Sequence, residues 1–378
     1  MHRNDVLIIG AGPCGVASAL ALRDVGLRPL VLDRADRVAA AWRSRYDRLR
    51  LNTARPLSHL PDRRFTKGTP MFPTRDHVIE HVERYAAEGG LEFRFGTRVE
   101  RLTRGSGGWV AHTPDGELAA PQAIVATGRE NEPVLPDCDG RDRFRGRLLH
   151  SAEYRNAEPF EGDRVLVVGA GSSGMEIAHD LAVDGAAKVW LAARTPPNIM
   201  LREAPGGIPG DMLAVVMMHL PIRVGDAIAG LGRRTAIGDL SDYGLPVPDE
   251  GVMSRLHRLG VAPAIVDMEV IDAIRARDIE VVPAVQSLDS ARVKLSDGSS
   301  VEADAIICAT GYRCGLESMV GHLGVLDERG RPKADGEKPA APGLRFIGYV
   351  PRPGGLGYAA KQAKRAAKAI ASELRGSA

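Results

Sequence analysis

The sequence predicts an α/β fold of two similar units with parallel sheets, the second inserted in the first. Three observations predict it. A short apolar strand, a glycine-rich turn and an Ala-containing helix occur in that order twice: Asp5–Ile9 leads to Val16–Leu22, and Arg164–Val168 leads to Ile177–Leu181. A third buried-looking strand, Ala305–Cys308, runs into Ala309-Thr310-Gly311-Tyr312, and Ile124-Val125-Ala126-Thr127-Gly128 is its earlier counterpart. Runs this short, apolar and rich in Val or Ile read as strands buried on both faces. The length, 378 residues, suits roughly two domains of about 150 residues.

The expected organisation is a first domain over residues 1–155, an insert over 156–303, and a return to the first domain over 304–378 that ends in a helix near Gly357–Leu374. The stretch Leu201–Ile279 is broken by Pro and Gly. It holds two amphipathic pieces, Met212–Leu220 and Val224–Leu231, and reads as a helical, substrate-side insertion.

Composition narrows the function classes. Hydrophobic residues make up 44% and charged residues 26%, ordinary globular values. Basic and acidic residues nearly cancel, 50 against 48, which leaves no surplus charge for a nucleic-acid backbone. No apolar run reaches the length of a membrane span. Cys14, Cys138, Cys308 and Cys314 are too few and too scattered for a disulfide framework, and none forms C-x-x-C. A reducing, cytoplasmic setting is expected.

The first turn, Gly10-Ala11-Gly12-Pro13-Cys14-Gly15, matches G-x-G-x-x-G. Gly10 permits the tight turn, Gly12 lets backbone approach a pyrophosphate, and Gly15 lets helix pack on strand. The helix start offers free N–H groups to the phosphates. Asp33, at the end of the next strand Pro29–Leu32, can accept from ribose hydroxyls. The second turn is Gly169-Ala170-Gly171-Ser172-Ser173-Gly174. Its following strand, Lys188–Ala192, ends in Arg194-Thr195 without an acid, which favours a ribose 2′-phosphate and hence NADP over NAD. Two Rossmann-like dinucleotide sites imply two cofactors exchanging electrons, FAD in the outer domain and NADPH in the insert. Thr127, Thr310 and Gly311 mark the crossings between domains and are counted with the cofactor-binding residues.

The electron acceptor follows by exclusion. No cysteine pair is available for a disulfide reductase, and the strand Leu344–Ile347 is followed by Gly348-Tyr349 where such enzymes carry Gly-Asp. Oxygen is the simplest remaining acceptor.

Phe144-x-Gly146-x-x-x-His150-x-x-x-Tyr154 resembles the fingerprint that flavin-containing monooxygenases carry before their NADP-binding domain, with Arg155 where Pro or Asp is usual. The resemblance covers nearly the whole chain and points to the YUCCA-type branch. It extends over Trp42, Leu51-Asn52-Thr53, Thr69 to Asp76, Arg194 to Pro197 and Asp242 to Leu245. It implies that NADPH reduces FAD and that a flavin C4a-hydroperoxide delivers one atom of O2 to a small-molecule substrate. It also implies that Trp42 lies with the flavin and that Asn52 is the active-site amide. Oxidative decarboxylation of an aryl 2-oxo acid is the substrate reading, with Arg75 and Arg202 as cationic anchors by position and charge. N- or S-oxygenation, Baeyer–Villiger oxidation and a non-catalytic flavin redox sensor stay open, and so does a homodimer. The Asp–Arg element usual in Baeyer–Villiger enzymes is missing from Arg45–Thr53. His150 reads as a linker hinge. His77 and His81 read as a solvated helix face rather than metal ligands, and Met217 and Met218 as packing.

Overall fold

The computed structural model describes residues 4–376. The chain divides into two compact units: Met1–Arg43, Ala54–Glu132 and Tyr312–Ala378 form the first, Ser44–Thr53 and Pro133–Gly311 the second.

In the first unit, β1 (Val6–Ile9) and α1 (Pro13–Asp24) are joined by the first glycine turn. Pro13 opens α1, where a missing N–H costs nothing. β1 pairs in parallel with β2 (Pro29–Leu32) on one side and with the later strand Gln122–Val125 on the other. Between them α2 (Arg75–Glu88) is capped by the Thr74 hydroxyl, which accepts from the His77 N–H. β3 (Glu92–Arg94) extends the sheet beyond β2. With β4 as Gln122–Val125, the strand Leu344–Phe346 closes the far edge, next to β4. Every residue of β1, β2 and β4 is buried, and all but Gln122 are apolar. The helix Gly355–Gly376 lies on α1 and buries small residues, Ala359, Ala363 and Ala367 among them.

The second unit repeats the plan. β5 (Arg147–His150), β6 (Arg164–Val168), α3 (Ser172–Val183), β7 (Lys188–Ala192) and β8 (Ile199–Leu201) come first. There follow α4 (Gly210–Met217), α5 (Ile222–Ala236), α6 (Val252–Leu259), β9 (Ala264–Val266), α7 (Met268–Ala276), β10 (Ile279–Val282) and β11 (Ala305–Cys308). The parallel sheet runs β10-β7-β6-β11-β5, with β6 in the place β1 holds in the first unit. Each unit also carries a three-stranded antiparallel sheet, Arg101–Ala120 in the first and Val285–Glu302 in the second.

The expected α/β fold and its central strands are therefore present, but the junctions expected at 155/156 and 303/304 lie elsewhere. β5 pairs with β11 over Arg147–His150, so both strands belong to the inserted sheet. The second unit also takes in Ser44–Thr53. Among the described residues, no helix is long and apolar enough to cross a membrane.

Candidate cofactor sites and a buried polar network

The first glycine turn is a cradle by elimination of side chains. Gly10 has φ +110, and a Cβ there would lie 2.6 Å from the Ala126 carbonyl oxygen. At Gly15 a Cβ would lie 1.8 Å from the Gly10 oxygen. Gly12 differs, because its backbone is extended and a Cβ would meet nothing within 4 Å. The first and third glycines serve the fold, whereas the second leaves open backbone at a helix start, which fits a pyrophosphate. Asp33 is partly spent on the turn: Oδ2 accepts from the Ala11 N–H and Oδ1 from the Ala35 N–H at 2.8 Å. Each oxygen keeps a lone pair for a ribose hydroxyl. The Thr127 N–H and hydroxyl both meet the Tyr349 hydroxyl, at 3.2 and 2.8 Å. Trp42 is half-buried on the short helix Ala40–Arg43.

The second turn has the same logic. A Cβ would lie 2.5 Å from the Ala309 oxygen at Gly169 and 1.8 Å from the Gly169 oxygen at Gly174, but would meet nothing at Gly171. Gly169, Gly171, Arg194, Thr195, Thr310 and Gly311 line one cavity of about 680 Å³ within this unit. Arg194 and Thr195 are exposed at it. Their cation and hydroxyl, the open Gly171 and the first turn of α3 are a donor set that fits a phosphorylated dinucleotide. Ser172 and Ser173 also serve protein partners: the Ser172 hydroxyl accepts from the Ile265 N–H at 2.9 Å, and Ser173 bonds Tyr46. The Thr310 hydroxyl donates to the Val134 carbonyl.

The fingerprint residues have structural duties. A Cβ at Gly146 would lie 2.4 Å from the Asp304 oxygen. The Tyr154 hydroxyl donates to Asp180 Oδ2 at 2.6 Å, in the core. His150 is buried: Nδ1 accepts from the Ala152 N–H and Nε2 faces the Gly311 carbonyl, both at 3.0 Å. That arrangement puts the ring proton on Nε2. Burial holds its pKa below the usual histidine value.

Asn52 sits in a polar network inside the second unit. Its Oδ1 accepts from Arg202 Nη2 at 3.1 Å. Arg202, only 2% exposed, forms ion pairs with Glu176 on α3 and with Asp267, the residue preceding α7. Tyr46 donates to the second oxygen of Glu176. Burial pushes the Glu176 carboxyl above its ordinary range against the pull of Arg202. Arg202 is thus closed off by protein carboxylates, and its expected role as a substrate-carboxylate anchor is corrected. Arg75 opens α2 and is paired with Asp76 at 2.8 Å.

His81 is a second correction. It is 4% exposed, stacked on Phe65 at 3.9 Å between ring centroids, and accepts from the Leu60 N–H. Burial, helped by Arg84 and His59, lowers its pKa to about 4. His77 does stay at the surface side, bonded to Thr74. Met217 packs with Val252 and Met253. The cysteines are unpaired thiols, and burial raises Cys14 to about 12 and Cys308 to about 11, far from thiolate chemistry. Sequence reasoning missed Tyr349 and Asp335. Asp335 accepts from the N–H groups of Tyr349 and Val350 at 3.4 and 3.3 Å, so a carboxylate from another loop serves the turn that lacks Gly-Asp.

A family model described as pyridine nucleotide-disulphide oxidoreductase matches residues 7–200. Probable indole-3-pyruvate monooxygenase YUCCA9 of Arabidopsis thaliana is 35% identical over 88% of this chain and 80% of its own length. Indole-3-pyruvate monooxygenase YUCCA1 of Oryza sativa subsp. japonica is 35% identical over 85% of this chain and 80% of its own. Among solved structures, a flavin-containing monooxygenase from Stenotrophomonas maltophilia aligns with a TM-score of 0.75 over 99% of this chain and 100% of that one, at 22% identity, a likeness of fold.

Proposed function

Because the chain belongs to the flavin-containing monooxygenases, on their YUCCA-type branch, we propose that it oxidatively decarboxylates an aryl 2-oxo acid. It is a flavin-dependent monooxygenase with FAD and NADPH as cofactors. The observation that carries the substrate class is the 35% identity over 88% of the chain to a protein described as an indole-3-pyruvate monooxygenase. In the balanced reaction the oxo acid, O2, NADPH and a proton give the acid shorter by one carbon, CO2, NADP+ and water. One oxygen atom enters the product acid and the other leaves as water.

FAD, reduced by NADPH, supplies the activation of O2. The protein's residues supply the rest. Open backbone at Gly12 and Gly171, each at a helix start, takes the two pyrophosphates. Asp33 holds the first turn and retains acceptor capacity for the ribose. Arg194 and Thr195 read the 2′-phosphate at the cavity of the second unit. Asn52, an uncharged donor and acceptor, serves oxygen transfer without supplying a proton. The unpaired thiols support a reducing, cytoplasmic setting.

Separate incubation with indole-3-pyruvate, phenylpyruvate, a tertiary amine and a thioether under labelled O2 tests the substrate class. Label in the arylacetic acid with matching CO2 release is the expected result. Label in the amine or thioether product, with no CO2 from either oxo acid, moves the assignment to heteroatom oxygenation.

A further inference from the structure

We propose that Arg202 is a positioning residue that decides which end of the Asn52 amide faces its ligand. The proposal rests on the reading in which Asn52 serves oxygen transfer. A guanidinium is all donors and has no acceptor. The amide atom 3.1 Å from Arg202 Nη2 is therefore the oxygen, since the reverse orientation would set NH2 against N–H. With Oδ1 held, Nδ2 is the end left to donate.

The guanidinium can impose this because it is itself held. Nη1 goes to Asp267, and Nη2 to Glu176 and Asn52. The Arg202 backbone is pinned too: its N–H donates to the Val266 carbonyl at 2.8 Å, and its carbonyl accepts from the Gly210 N–H at 2.8 Å. Glu176 stands on α3, the helix that the second glycine turn opens. Tyr46, in the same Ser44–Thr53 segment as Asn52, bonds Glu176 and Ser173. One buried ion pair thus holds that segment at two points, Tyr46 and Asn52. A buried ion pair is a poor source of stability, and its best-attested use is to impose a specific arrangement. Here the arrangement imposed is that of a half-buried amide.

A double-mutant cycle with Arg202→Lys and Asn52→Ala tests this in the FAD- and NADPH-loaded enzyme. Lysine keeps the charge that compensates Glu176 and Asp267 but loses the planar fork that reaches Asn52 as well. Each single variant is expected to lower the ratio of product to hydrogen peroxide about tenfold, the lower end for losing a charge-assisted hydrogen bond. In the Asn52→Ala background, Arg202→Lys should add nothing, because it acts through Asn52. Independent, multiplying effects would overturn the proposal. A second readout needs no cofactor. The side-chain NH2 resonance of Asn52, identified by its loss in Asn52→Ala, should be sharp in the wild type and broadened in Arg202→Lys; an unchanged resonance contradicts positioning.

Asn52→Asp keeps the test decisive if Arg202→Lys does not fold. The carboxylate still accepts from Arg202 but has no donor to offer. Peroxide release equal to that of Asn52→Ala supports the proposal. Wild-type coupling in Asn52→Asp, with Asn52→Ala uncoupled, overturns it. Wild-type coupling in both overturns the role of Asn52 in oxygen transfer instead.

Discussion

Replacing Gly171 by alanine separates binding from folding. The residue has φ −87 and ψ −179, extended backbone that any L-residue adopts, and its Cβ would meet no heavy atom within 4 Å. The unfolded chain loses entropy, a gain of about 0.4–1 kcal/mol, while alanine is a poorer N-cap than glycine by roughly 0.5–1 kcal/mol. The two offset, so the cofactor-free protein should melt within a few degrees of wild type. NADP+ meets a different surface. In the proposed cradle the methyl would stand where phosphate oxygens approach the α3 N–H groups, and losing one charge-assisted bond costs about 1.5–3 kcal/mol, or 10- to 100-fold in Kd. Calorimetric titration with NADP+ and a melting curve measure both quantities on one sample. Gly174→Ala is the control. Its Cβ would lie 1.8 Å from the Gly169 oxygen and 3.2 Å from Ala309 Cβ, so it should cost more than the usual 1–3 kcal/mol of overpacking. Wild-type NADP+ affinity in Gly171→Ala would refute the cradle, and an unchanged melting temperature in Gly174→Ala would refute the steric argument.

Three further outcomes are expected. Arg194→Ala should lose about 10- to 100-fold in NADPH efficiency with NADH nearly unchanged; steady-state kinetics with both cofactors check it, and equal losses would remove Arg194 from the 2′-phosphate. Tyr349→Phe strips the half-buried Thr127 N–H and hydroxyl of a buried partner and should cost about 1 kcal/mol in chemical denaturation; no change would mean that Thr127 finds another partner. His81, with its folded pKa lowered to about 4 from the ordinary histidine value of about 6.5, takes up its proton mainly on unfolding. Between those values the unfolded state binds more protons, so its contribution is complete above about 6.5 and lost as pH falls toward 4. Urea midpoints from pH 4.5 to 7 should show a slope that His81→Phe flattens.

Both glycine turns could be read in the sequence because their constraint is local: a strand, a turn and a helix fit together only with glycine at the first and third positions. The strands Pro29–Leu32, Arg164–Val168 and Ala305–Cys308 were legible for a similar reason, since apolar character alone marks a strand buried on both faces. What the sequence hid are pairings over long separations. Arg202 looks like any arginine until Glu176, Asp267 and Asn52 surround it. His81 carries a polar ring at helical spacing from His77, and only Phe65 and Leu60, from another loop, reveal it as buried. Asp335 meets the turn after Leu344–Phe346 from upstream, so no Gly-Asp dipeptide advertises it. The junctions were misplaced because the edge pairing of β5 with β11 leaves no mark in the composition of either strand.

The threading of the chain sets a timetable for its synthesis. The chain changes unit after Arg43, Thr53, Glu132 and Gly311. A ribosome delivers β1, α1 and β2 ahead of the inserted unit, yet their sheet is completed by Leu344–Phe346 and α1 is covered by Gly355–Gly376, both made after that unit. The inserted unit has all its strands by Cys308 and can close while the outer one still shows apolar surface. Chains emerge at about 5–20 residues per second, and exposed half-sheets are the species that aggregate. The nascent chain therefore passes through seconds in which β1, α1 and β2 lack the partners that cover them. Loss of the helix Gly355–Gly376 would leave α1 uncovered permanently, and neither unit can be liberated by a single cut. Of the two units, the one whose synthesis starts earlier is the one finished later.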